Sequence, residues 1–85
     1  MDHLNTLIIV RRLGEIGPAP VGSIAAYLGV GPATVKRYIA TARHMGADIV
    51  SVRAGGVFSF ELRNWPACKT IVLKWIALEE ARTFV

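Results

Sequence analysis

Lys36, Arg37 and Arg43 share one predicted helix that carries no acidic residue. Cationic side chains without carboxylate neighbours suit one kind of chemistry. They donate charge-assisted hydrogen bonds to phosphate oxygens and to the acceptor edges of bases. Thr34 and Thr41 add hydroxyls that can bond a phosphate. His44 stands at the far end of the helix, where a backbone contact and an interaction with the helix's own terminal carbonyls are both open. Arg53, near the tip of a predicted hairpin, fits a phosphate or a narrow minor groove. For Lys36, Arg37 and Arg53 the competing reading is a solvated surface. For Tyr38, packing against the hairpin is favoured over contact with a phosphate.

No other chemistry is grouped in this way. His3, His44 and Cys68 have none of the spacings of a zinc site. Asp2, Glu15, Asp48 and Glu61 form no acid–base pair, and Gly29-Val30-Gly31 lies between helices as a turn instead of following a strand as a phosphate loop. The expectation is a protein that is not an enzyme and uses no metal or cofactor. Cys68, on an apolar face, reads as a small buried hydrophobe.

The elements that position the basic residues follow from the apolar spacing. A first helix is predicted over residues 2–16, capped by Asp2, with Leu4, Leu7 and Ile8 on one face and Ile9, Val10, Leu13 and Ile16 on the next. Gly17-Pro18-Ala19-Pro20 ends it and leaves room for a very short edge strand near Ala19. Ser23 is expected to cap a second helix over 23–29, with Ile24, Ala25 and Leu28 inward. Gly29 stops that helix, and Pro32 opens a third running to Met45. Val35, Ile39, Ala42 and Met45 form the inner stripe of this third helix. Two strands, 48–54 and 57–62, alternate apolar residues about a turn at Ala54-Gly55-Gly56. Pro66 then starts a last helix over 67–83. Two helices joined by a tight turn and followed by a hairpin make a winged helix-turn-helix. The predicted class is mainly α with a small β-hairpin (α+β): a three-helix core, a wing and an additional C-terminal helix. Residues 1–63 form the winged unit. Residues 64–85 pack against it within one compact domain.

Bulk properties agree. Eighty-five residues suit one domain with a modest core. The net charge of +4 fits a polyanionic partner. Residues 31–63 hold Lys36, Arg37, Arg43, Arg53 and Arg63 against only Asp48 and Glu61, so the excess sits on the third helix and the hairpin. A lone cysteine fits a reducing cytoplasm. Neither a signal peptide nor a membrane-spanning run is recognisable.

From about residue 7 to 62 the chain resembles the winged helix-turn-helix domains of bacterial regulators such as the biotin repressor and DeoR-type repressors. The matching pieces are Gly17-Pro18-Ala19-Pro20-Val21, Ile24-Ala25-Ala26-Tyr27-Leu28-Gly29-Val30, Thr34-Val35-Lys36-Arg37-Tyr38-Ile39 and Met45-Gly46-Ala47-Asp48-Ile49. The resemblance implies a fold that binds double-stranded DNA. Two departures stand out. Gly31, Pro32 and Ala33 replace the Ser and Arg that often begin the family's recognition helix. The sequence shows no ligand-binding domain after the last helix, so a metabolite-sensing repressor is not expected.

The last helix is apolar on two faces in its first half, and the first helix is similarly broad. Such helices need two surfaces to bury against. Ile71, Trp75, Ile76 and Leu78 are the candidate homodimer interface, and Trp65 is a candidate cover for the hairpin. The expected function is a cytoplasmic, homodimeric transcriptional regulator, a repressor acting by occupancy and of a size that suits a phage or mobile element. The alternative is a winged-helix protein-interaction module, a small inhibitor or assembly subunit, that binds no DNA.

Overall fold

A computed structural model describes the chain over residues 3–83. The expected cap Asp2 lies outside the described residues. In order, the elements are α1 (His3–Ile16), β1 (Ala19–Pro20), α2 (Val21–Leu28), α3 (Pro32–His44), β2 (Ile49–Ala54), β3 (Val57–Leu62) and α4 (Trp65–Thr83). The chain is mainly helical and carries a small antiparallel three-stranded sheet, so it belongs to the expected α+β class.

The core gathers around α1. Ile9 and Leu13 of α1 and Val35 and Ile39 of α3 are almost free of solvent. Ile24 of α2, Ile49 and Leu62 at the base of the hairpin, and Val72 and Ile76 of α4 complete the cluster. Ile16, read on the same apolar face as Ile9, Val10 and Leu13, is 51% exposed in the last turn of α1, just before the chain leaves the helix at Gly17 with φ 85°.

Ser23 does not cap α2. The helix begins at Val21 directly after Pro20, whose φ of −65° and ψ of 153° suit the edge strand and the position before the helix. Ser23 is an exposed residue of the first turn. The other end follows expectation. Gly29 takes φ 69°, a conformation that costs glycine little, and the N–H of Val30 reaches back 3.0 Å to the Ala25 carbonyl. Pro32 occupies the first helical position of α3, where its missing N–H has no intrahelical partner to lose.

The sheet order is β1-β3-β2. β2 and β3 pair from Ile49↔Leu62 to Ala54↔Val57, and Gly55 and Gly56 form a two-residue turn at φ 59° and 80°. Both glycines have the positive φ that matches the twist of a tight hairpin. β1 pairs only with Phe60 and Ser59, and its Pro20 is tolerated because the strand is an edge.

Trp65 lies against α1. A Cβ built on Gly14 would overlap its indole, so the bare backbone at Gly14 is what lets α4 start against α1. Asn64, just before α4, ties three segments together. Its carbonyl accepts the N–H groups of Ala67 and Cys68, its side-chain oxygen accepts the Asp48 N–H at 3.0 Å, and its amide donates to the Gly46 carbonyl at 3.0 Å. The turn between α3 and β2 is thereby pinned to the start of α4.

Candidate nucleic-acid interface

α3 forms because Val35, Tyr38, Ile39 and Ala42 recur at helical spacing and are all buried. That leaves the opposite face to Ala33, Lys36, Arg37, Ala40 and His44, each of them exposed. Three cation-capable side chains thus surround two alanines, and small residues at the centre of a helix face permit close approach to a surface. Arg37 also leans over the Tyr38 ring, 5.8 Å from its centroid.

Thr34 and Thr41 do not share this face. Both are half-buried on its flank, and the Thr41 hydroxyl donates to the Arg37 carbonyl at 3.1 Å. Its proton is committed to the helix, and only its acceptor lone pairs remain. Tyr38 packs, as favoured from the sequence, but its hydroxyl meets Asn5 of α1 at 3.5 Å, so the contact identified is with the first helix.

Arg43 has a part that spacing did not show. Its Nε donates to the Ile49 carbonyl at 2.9 Å, and its guanidinium lies 5.9 Å from the centre of the Phe60 ring. It therefore fastens the end of α3 to both long strands. The only sequence signal was a basic residue in a helix's last turn shortly before a strand.

The hairpin continues this pattern outward. Its register places Ile49, Ser51, Arg53, Phe58, Phe60 and Leu62 on one face. Ile49 and Leu62 are buried at the base, Arg43 covers Phe60 in the middle, and Arg53 lies 4.8 Å over Phe58 near the tip. Arg–aromatic stacking holds a guanidinium in place without removing its charge.

The carboxylates lie elsewhere. Glu15 pairs with Arg11 at 2.9 Å, Glu61 with Arg63 at 3.4 Å and Glu79 with Arg82 at 3.3 Å. Among the described residues, none of Lys36, Arg37, His44 or Arg53 has a carboxylate within salt-bridge distance. Glu15 also pushes the Arg11 guanidinium further above its ordinary range, through a hydrogen bond first and charge second. Burial pushes the Cys68 thiol up, which keeps it protonated and suits a packing role. No group of three His, Cys, Asp or Glu side chains gathers among the described residues.

A second, apolar surface lies along α4. Ile71, Trp75 and Leu78 are 51%, 40% and 53% exposed and follow one another at i, i+4 and i+7. Beside them a groove of about 270 Å³ is lined by Leu7 and Val10 of α1, Met45 and Ala47 of the α3–β2 turn, and Ile71 and Trp75. Ile76, expected in the same interface, is only 4% exposed and belongs to the core. It stands on the stripe that α4 turns towards α1. No described helix is long and apolar enough to cross a membrane. Compared with protein-family models, curated proteins and solved structures, the chain finds no match.

Proposed function

We propose that this chain is a double-stranded DNA-binding regulator of winged helix-turn-helix form, with α3 entering the major groove and the hairpin acting as the wing. The observation that carries the reading is the outward face of α3: Lys36, Arg37 and His44 around Ala33 and Ala40, all exposed and with no acid on the helix. Arg37 has the fork geometry for a guanine edge, and Lys36 suits a phosphate. Arg53 adds a cation on the hairpin, and Arg43 sets the hairpin's position relative to α3. Thr34 and Thr41 can contribute only at the flank. A second copy docked along the α4 stripe would present two α3 helices to a palindromic site, and a bound dimer would repress by occupancy in the cytoplasm.

The competing reading is a protein-interaction module. The exposed run of Ile71, Trp75 and Leu78 beside an apolar groove favours it.

Binding to a mixed-sequence duplex at rising salt separates the two. The steepness of log K against log salt is about 0.9 for every phosphate the protein neutralises. The wild type should bind at low salt, and Lys36→Ala/Arg37→Ala should bind more weakly with a slope shallower by about 1–2. No binding by the wild type at low salt, or an unchanged slope in the double variant, rejects the DNA reading.

A further inference from the structure

Phe58 is 61% exposed, more than any other large apolar side chain among the described residues, and Val57 beside it is 50% exposed. Both stand next to the Gly55-Gly56 turn. β1 pairs along β3 only as far as Ser59, so the Arg53↔Phe58 and Ala54↔Val57 pairs project as a two-stranded arm. The tip serves the fold little, since Phe58 has Arg53 over its ring and remains mostly in water. Fully burying a side chain of this size is worth about 1.5–3 kcal/mol, and most of that is unused in the folded chain. Residues 50–60 contain no acid and one cation. The tip is thus an apolar wedge with a positive charge on it.

We infer that Phe58 is a wedge that enters a base step of double-stranded DNA from the minor groove and kinks it. This rests on the DNA-binding reading. Base faces are the main apolar surface a duplex possesses, and they are reached by parting a step at its groove edge. Arg53 stays with the wedge and meets the negative potential of the groove. Parting a step costs a few kcal/mol, least at flexible pyrimidine–purine steps such as TA. Arg43 fastens the base of the hairpin to α3, so the arm pushes from a fixed support. Deformability readout of this kind supplies sequence preference where the start of α3, Gly31-Pro32-Ala33, has no polar side chain to offer. An anionic bilayer is the other surface that accepts Phe beside Arg. On α3 the exposed cations flank the small side chains Ala33 and Ala40, a convex helix face that fits the concave major groove better than a flat headgroup layer, and this favours DNA.

The test uses two duplexes of about 30 bp and equal base composition, dye-labelled at both ends. One carries TA steps at its centre; the other has no central pyrimidine–purine step. The wild type should shorten the end-to-end distance of the first and bind it about tenfold more tightly than the second. Phe58→Ala should abolish the shortening and reduce the preference to less than about twofold, with at most a fewfold loss of affinity for the second duplex, where Arg53 loses its ring support, and with unfolding still cooperative. Phe58→Leu, still apolar, should bend to an intermediate degree. Equal bending by wild type and Phe58→Ala overturns the wedge. So does a Phe58-dependent binding to phosphatidylserine vesicles with DNA bending unaffected. Binding that requires Lys36 and Arg37 but not Phe58 removes the wedge alone, whereas no DNA binding at low salt removes both readings.

Discussion

Single residues decide how the pieces of this chain meet. Asn64 satisfies the Asp48 N–H and the Gly46 carbonyl at once, each at 3.0 Å. Asn64→Ala removes both bonds, and urea unfolding should show a loss of about 1–2 kcal/mol. Asn64→Asp keeps the acceptor and loses the donor, so it should fall between. A stability within a few tenths of a kcal/mol of wild type for the alanine variant would contradict the clamp. Gly14 offers a test in which two rules predict opposite signs. Helix propensity alone says Gly14→Ala gains up to about 1 kcal/mol. The Trp65 indole occupies the space a Cβ would need, so overpacking should win and cost about 1–3 kcal/mol. In a Trp65→Leu background the same change should become neutral or favourable. Thermal melts of the four proteins check this, and a stabilised Gly14→Ala single variant rejects the packing argument. Neither residue is legible in the sequence. A mid-helix glycine and an asparagine before a helix have many uses, and theirs depends on partners about 50 and 16–18 positions away.

At the scale of elements the sequence is far more readable. Gly29, Pro32 and Gly55-Gly56 act through their own backbone, so their effects are local and the turn, the start of α3 and the hairpin lie where expected. The outward face of α3 is legible for Lys36, Arg37 and His44, but not at its edges, where Thr34 and Thr41 are half-buried and Met45, expected inside, is 37% exposed beyond the helix end. α4 is harder. Ile71, Trp75 and Leu78 lie on one stripe and Val72 and Ile76 on the next, and periodicity cannot say which stripe meets α1. Packing selects the second and leaves the first exposed. In the sequence the hairpin stands out as a carrier of Arg53, and Phe58 looks like any other apolar strand residue. An alternating pattern locates a strand face but not the point at which the core beneath it ends.

For the whole molecule, the exposed α4 stripe is the open valence. The proposed homodimer would pair two α4 helices side by side along this stripe, next to the groove of about 270 Å³. Sedimentation at tens to about 100 µM should find a dimer for the wild type, consistent with micromolar affinity. Trp75→Glu or Leu78→Lys should give a folded monomer, since both side chains already face water in the single chain. A wild-type monomer across that range ends the dimer proposal. The seating of Trp65 on Gly14 also has a consequence in time. α1 leaves the ribosome before α4, and the indole that covers it is made about fifty residues later, a delay of about 3–10 s at ordinary elongation rates. Until then the side of α1 that α4 will cover stays bare. Newborn chains should therefore engage holdase chaperones throughout that interval and be released as residues 65–76 emerge.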